Sequence, residues 1–335
     1  MYLLDLLLLS PLVLGSPTGS RRLEAARPIP SFVLEFAPLS HLWSQETWFP
    51  SDISSHLSHV VPQVNFTNLT GSVTFQSIGG LPSDVFLTSK DPVEDQPEWM
   101  LSTENIPDAN GKSGAPATIV VVEKSGGILD AFYFYFYSFN EGNAIFNITP
   151  LTFEDHIGDW EHSMVRFVNN TPSVLYLSAH SGGSAFSYSV VQKLNNRAIT
   201  FIAGGTHANY ATPGSHLHGP LNALNDRTDQ GPLWDVTLNF RAFWFDNTTQ
   251  TFSIASGGRG VGGAEENRGE EGTGWLNFGG NWGDQQYPVP EHGQFCLNII
   301  GECKYSDGPT GPIAKNLGRT AVCQDESNCT IQTSL

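Results

Sequence analysis

Residues 132–137 alternate phenylalanine and tyrosine with period two. In a β-strand successive side chains point to opposite faces, so three phenylalanines line one side and three tyrosines the other. Phenylalanine suits a dry interior, whereas tyrosine suits a face where each hydroxyl must find a partner. Further β-branched or aromatic runs occupy 118–123, 161–168, 173–178, 186–190, 199–203 and 234–245, separated by Gly, Asn and Pro. Short strands punctuated in this way read as an all-β fold, a single jelly-roll-like β-sandwich. Helical stretches are too few to cover a sheet in an α+β arrangement. One short N-terminal helix is signalled over 52–60: Ser51 can cap it, Asp52 meets its positive end, and Pro62 stops it.

The organisation follows from composition. Hydrophobic residues at 39 % are enough for a core, and 335 residues allow one large domain. The sandwich is expected over 31–295, preceded by a linker at 16–30. Residues 256–284 are glycine-rich and carry several glutamates, which predicts a long loop because such a segment loses much backbone entropy on ordering. All four cysteines (Cys296, Cys303, Cys323, Cys329) fall near the C-terminal end, so residues 296–335 read as a disulfide-bonded tail. They lack the paired spacing of a zinc ribbon, and Cys296–Cys303 with Cys323–Cys329 is the simplest pairing.

The first fifteen residues are apolar, too short and proline-broken to span a bilayer, and read as a signal peptide. No other apolar stretch is long enough for a transmembrane helix. Asn65, Asn68, Asn147, Asn169, Asn247 and Asn328 each begin an N-x-S/T glycosylation sequon. Together these features predict a glycoprotein of the secretory pathway, in a vacuole lumen or outside the cell. The formal net charge of −17 excludes a nucleic-acid partner, which needs Lys/Arg patches, and disfavours adsorption to anionic lipid.

Chemistry is concentrated in residues 155–162, which read Asp-His-Ile-Gly-Asp-Trp-Glu-His. On a strand Asp159 and Glu161 share a face, with Trp160 and His162 opposite. Gly158 permits a bend that swings His156 to the carboxylate side. Two acids and an imidazole around one point repel unless a proton or cation joins them. That set suits Ca²⁺, Mg²⁺ or Mn²⁺ better than Zn²⁺, and a second histidine, His180 or His207, would shift the preference toward Mn, Fe or Zn. His216 and His218, flanked by Pro-Gly and Gly-Pro, read as loop residues. Asp226, Asp229 and Asp235 could bind Ca²⁺ but miss the EF-hand spacing. Ser181 and Ser184 lie near His180 without a nucleophile elbow, so the residues point to a binding protein rather than an enzyme. The alternatives are a metal-dependent hydrolase in which Glu161 or His162 moves protons, and a structural protein with no metal.

Several of these segments resemble a known family. Residues 38–43, 48–53, 130–140, 156–162, 179–183, 205–210 and 307–312 are similar to the fungal vacuolar protein sorting-associated protein 62 family, within a likeness running from about Phe36 to Cys329. The resemblance implies a part in delivering proteins to the vacuole and supplies no established active site. Residues 155–161 also resemble the G-H-R-H-D-W-E heptapeptide that necrosis- and ethylene-inducing-like proteins carry on a β-sandwich, as does Ser178-Ala179-His180 further on. That likeness implies cation-holding roles for His156, Asp159 and Glu161. Gly158 stands where the second histidine would be, Asp155 replaces the leading glycine, and the upstream acidic ligand has no counterpart. A cation so held could bridge carboxylates to hydroxyls of a glycan or glycolipid headgroup, the expected partner.

Overall fold

The aromatic run forms the middle of a thirteen-residue strand whose two faces are both buried. The computed structural model describes residues 26–144, 151–219, 222–258, 272–297 and 301–335. The large sheet contains β1 (Ala117–Lys124), β2 (Ile128–Asn140), β3 (His156–Val168), β4 (Thr171–Ala179), β5 (Gly182–Ser187), β6 (Phe240–Asp246) and β7 (Thr251–Ile254). β1 to β5 run as an antiparallel meander. β6 returns to lie parallel beside β1, and β7 pairs with it as a hairpin. The tail strand Ile331–Gln332 adds to β5 in parallel, giving eight strands in all.

Each face of this sheet meets its own layer. The tyrosine face packs on a five-stranded sheet that includes Leu39–His41, Arg197–Ile202 and Leu233–Asp235. Tyr133, Tyr135, Val165 and Leu177 meet Ala198, Ile202 and Trp234 there. Two of the three tyrosine hydroxyls find partners: Tyr133 donates to the Val33 carbonyl at 2.5 Å, and Tyr135 and Ser163 hydroxyls lie 2.7 Å apart, whereas the buried Tyr137 hydroxyl has none. Phe132, Phe134 and Phe136 face the other way, onto Trp160, Phe75, Trp275 and Trp282. The chain is thus the all-β sandwich its alternation predicts, with a further layer over the phenylalanine face.

The structure corrects several local expectations. Asp52, not Ser51, caps the N-terminal helix by accepting from the Ser54 amide, and that helix covers only Ile53–Ser58. Ser51 is drawn away to Ser102 and to the Ser138 amide. Val60 begins a strand, and Pro62 lies inside it because Val60–Val64 pairs along Phe86–Ser89. Two more short helices, Ser31–Glu35 and Glu98–Leu101, escape sequence reading because each spans little more than one turn. The run 234–245 is two strands in two different sheets, broken by a turn of 3₁₀ helix at Val236–Leu238.

The glycine-rich segment is not all loop. Residues 259–271 lie outside the described residues, but 272–284 are packed, with Trp275 and Trp282 fully buried. Indole burial outweighs the entropic cost of the glycines: each large aromatic removes enough surface to contribute roughly 2–3 kcal/mol. Both disulfides, Cys296–Cys303 and Cys323–Cys329, are present. Asn65, Asn68, Asn169, Asn247 and Asn328 are all exposed, and Asn147 lies outside the described residues, as does the expected signal peptide. No helix among the described residues is long and apolar enough to cross a membrane.

At the far end of β2, Asp130 is wholly buried and takes Nε and Nη2 of Arg166, each at 2.7 Å, together with the Lys124 ammonium. Removing one partner of such a cluster leaves buried cations without a counter-charge. Asp130→Ala is therefore expected to cost about 3–5 kcal/mol in urea unfolding. Glu123→Ala, which breaks an exposed pair with Arg27, should cost less than about 1 kcal/mol.

Candidate functional site

The pairing of β2 with β3 decides where the acids go. Tyr135 stands opposite Glu161 and Tyr137 opposite Asp159, so both carboxylates are carried on the tyrosine face, at the end of β3 where the covering sheet gives way to a cavity. Gly158 adopts φ +69°, and a Cβ there would lie 2.3 Å from the Trp282 carbonyl oxygen. Only glycine satisfies both conditions. His156, beyond this bend, places Nε2 3.9 Å from Asp159 Oδ1. Its Nδ1 lies 3.0 Å from the Glu154 carbonyl, which can only accept, so that nitrogen carries the proton. In the neutral ring Nε2 is a lone pair, buried and without a hydrogen-bond partner, aimed at a carboxylate oxygen.

His207 holds the other side of Asp159. Its Nδ1 meets Asp159 Oδ2 at 2.9 Å, its Nε2 meets the Trp48 carbonyl at 3.2 Å, and the ring lies flat on Tyr137 at 3.6 Å between centroids. It is wholly buried behind the carboxylate, with both nitrogens engaged, and does not line the cavity. Burial works against the Asp159 charge, yet the neighbouring imidazoles of His156 and His207, the latter hydrogen-bonded to it, hold the carboxyl well below the usual carboxylate range. Glu161 has the opposite fate. Burial, reinforced by the Asp159 charge, pushes it up to about 8. Its carboxyl contacts the Ser178 hydroxyl and accepts the His180 amide at 3.1 Å.

A second cluster lies alongside. Asp226 is fully buried and gathers Thr206 Oγ1 (2.7 Å) and Asn143 Nδ2 (2.8 Å) on Oδ1, and the Tyr210 hydroxyl (2.6 Å) and His180 Nε2 (2.8 Å) on Oδ2. Burial opposes a charge on His180, but the Asp226 carboxylate pushes it up to about 9. His218 stacks on His180 at 4.1 Å. Here the structure corrects the sequence reading: His216 and His218 are not loop residues but sit on a hairpin of Gly214–His218 with Leu224–Thr228. His216 lies against Tyr210 at 3.7 Å. The aspartates once grouped by sequence are dispersed, for Asp229 accepts from Ser44 and Asp235 pairs with Arg197.

One cavity of about 730 Å³ is lined by His156, Asp159, Glu161, His180, His218 and Lys315, among others. Four of the five residues singled out as ligands thus face one space, while His207 backs it. His162 lies across the sheet among Phe132, Phe134 and Tyr176, where burial depresses its pKa, so it cannot move protons in the cavity. A cavity of similar size, about 750 Å³, lies near Arg27 and Trp244, but its charges are already matched: Arg27 with Glu123, and Lys124 and Arg166 with Asp130. Sequence reasoning missed Lys315 and the hub role of Asp226. The alternation of 214–218 against 224–228 carried the signal for the latter, since a hairpin there turns His216, His218 and Asp226 toward shared neighbours.

The chain matches the family described as vacuolar protein sorting-associated protein 62 over residues 29–285. It is 36% identical to the vacuolar protein sorting-associated protein TDA6 of Saccharomyces cerevisiae over 347 residues, covering 90% of this chain and 70% of that protein. Identity to vacuolar protein sorting-associated protein 62 of the same yeast is 33%, over 91% of this chain and 70% of that protein. Among solved structures, Necrosis and Ethylene inducing Protein 2 from the causal agent of cocoa's Witches Broom disease aligns at 14% identity and TM-score 0.29, covering 56% of this chain and 70% of that one. The non-toxic HaNLP3 protein aligns at 12% and 0.30, covering 68% and 80%. The chain belongs to the vacuolar protein sorting-associated protein 62 family.

Glu141, between the cavity-lining residues Asn140 and Gly142, is pushed up to about 7 by burial and by the charges of Asp155 and Glu46. A raised carboxyl stabilises the fold below its ordinary value of 4.5, and that contribution is lost as pH rises through 7. Glu141→Gln is therefore expected to flatten the fall in melting temperature between pH 5 and 8, measured by differential scanning fluorimetry. An unchanged slope would show that this carboxyl titrates alike in the folded and unfolded chains.

Proposed function

We propose that this family member is a lumenal glycoprotein of the secretory pathway that binds a glycan or glycolipid headgroup in the 730 Å³ cavity and takes part in vacuolar protein delivery. A divalent cation held by His156 and Asp159, with Glu161 beside them, organises the site. The observation that carries this reading is the pair of facing acceptors: His156 Nε2, buried and unpartnered, lies 3.9 Å from Asp159 Oδ1. Acceptors so placed repel unless something positive lies between, and this donor set suits Mn²⁺, Mg²⁺ or Ca²⁺. When bound, the cation supplies open positions for vicinal hydroxyls.

The chain's own residues do the rest. His207, clamped between Tyr137 and the Trp48 carbonyl, keeps Asp159 aimed at the cavity. Lys315, Asp307 and Gln286 line the walls with donors and acceptors for sugar hydroxyls. The disulfides belong to an oxidising compartment, and the exposed sequons are accessible to glycosylation there. The names of the yeast relatives support the vacuolar part of the reading. A metal-dependent hydrolase is the second reading, favoured by the neighbouring carboxyls Asp159 and Glu161, one held low and the other raised to about 8, a division that suits acid–base work.

Elemental analysis of protein dialysed against Mn²⁺ should find bound metal that Asp159→Asn loses. Glycan-array binding by the same protein should fall at least tenfold with chelator and with Asp159→Asn. Equal binding in all samples would remove the cation from the account, and chelator-sensitive turnover of ester, phosphate or glycoside substrates would favour the hydrolase. For protein made in a eukaryotic secretory pathway, enzymatic removal of N-linked glycans should lower the apparent mass, and Asn247→Gln should remove one step of that shift.

A further inference from the structure

The two-residue turn between β4 and β5 and the hairpin of Gly214–His218 with Leu224–Thr228 come from separate parts of the chain, yet they set three ligand-bearing side chains around one point. His180 Nε2 and His218 Nε2 lie 2.8 and 3.5 Å from the same oxygen of Asp226, Oδ2. One ligand atom from each residue falls within 4.8 Å of the other two. Asp226 is fully buried, and Thr206, Asn143 and Tyr210 fix its carboxylate with neutral donors. Outer hydrogen bonds of this kind orient the carboxylate of a metal centre.

Asn143 also decides the form of His218. Its Nδ2 sits 2.8 Å from Asp226 Oδ1 and 3.0 Å from His218 Nε2, so one N–H points at the carboxylate and the other at the imidazole. Were the amide turned over, its oxygen would face the carboxylate. His218 Nε2 therefore accepts, and it stands 3.5 Å from Asp226 Oδ2 with no proton between. Two acceptors and a neighbouring imidazole so arranged describe a ligand set.

We propose that His180, His218 and Asp226 form a centre for a divalent transition metal of the Zn²⁺ or Fe²⁺ class. Two imidazole nitrogens and one carboxylate oxygen suit such ions better than Ca²⁺ or Mg²⁺, which favour oxygen alone. Both histidines line the cavity, so the remaining coordination positions face the space where a substrate or ligand enters. This centre is separate from the His156–Asp159 pair. Glu161 lies between the two, its Oε1 on the His180 amide.

The test uses chelator-stripped Asp159→Asn protein, in which the His156 pair is disabled, titrated with Zn²⁺ and, for a spectrum, Co²⁺. One equivalent of Zn²⁺ should bind, and Co²⁺ should give visible d–d bands. Adding His218→Gln or His180→Gln should weaken Zn²⁺ at least tenfold and abolish the bands. Asn143→Ala, which keeps all three ligands, should weaken binding about tenfold, and it serves if a histidine variant fails to fold. The proposal is overturned if Asp159→Asn takes up no Zn²⁺, or if Zn²⁺ binding is indifferent to all three added changes. Loss of Mn²⁺ from Asp159→Asn with Zn²⁺ retained leaves both centres standing; retention of Mn²⁺ removes the His156 centre alone.

Discussion

The register between β2 and β3 is the constraint on which the rest depends. With both faces of these strands buried, a slip of one residue would exchange every tyrosine for a phenylalanine neighbour. It would also turn Asp159 and Glu161 into the aromatic layer of Trp275 and Trp282, away from the His207 imidazole and the Ser178 hydroxyl that engage them. Packing therefore dictates where the charges lie, and the chemistry of the cavity is a consequence of hydrophobic pattern.

Buried charge in this molecule is managed by local neutralisation. Asp130 has Arg166 and Lys124, Asp235 has Arg197, and Asp226 has His180 with three neutral donors. Each arrangement offsets a desolvation cost that would otherwise favour protonation. Glu161 is not neutralised in this way: its Ser178 and His180 amide contacts do not compensate its burial beside Asp159. A protein of net charge −17 thus balances several of its innermost acids and leaves others, Glu161, Glu141 and Asp284 among them, raised by burial.

Much of the fold was legible because period two is a strong signal over long strands. β1 and β4 are read to within two residues of their ends from 118–123 and 173–178, whereas 132–137 and 161–168 mark only the middle of β2 and the later part of β3. What stayed hidden was short or set by distant partners. The helix cap moved by one residue because Ser51 finds Ser102 far along the chain. Trp234 and Trp244 look like one strand in sequence, but the 3₁₀ turn between them carries the chain from one sheet to the other. At the site, Gly158, His156 and Asp159 could be grouped from adjacency alone, whereas the role of Asp226 depends on Asn143, Thr206 and His180, which no local spacing connects.

The strand Ile331–Gln332 lies parallel to β5, directly behind the hairpin that presents His180. Residues just before it, Leu317 and Val322, belong to the core under the phenylalanine face. A chain still emerging from the ribosome has β5 in hand long before these downstream residues exist. During that interval the rim of the sheet offers bare amides and carbonyls to any passing strand. Newly made protein of this kind has reason to be escorted until Ile331–Gln332 pairs with that edge.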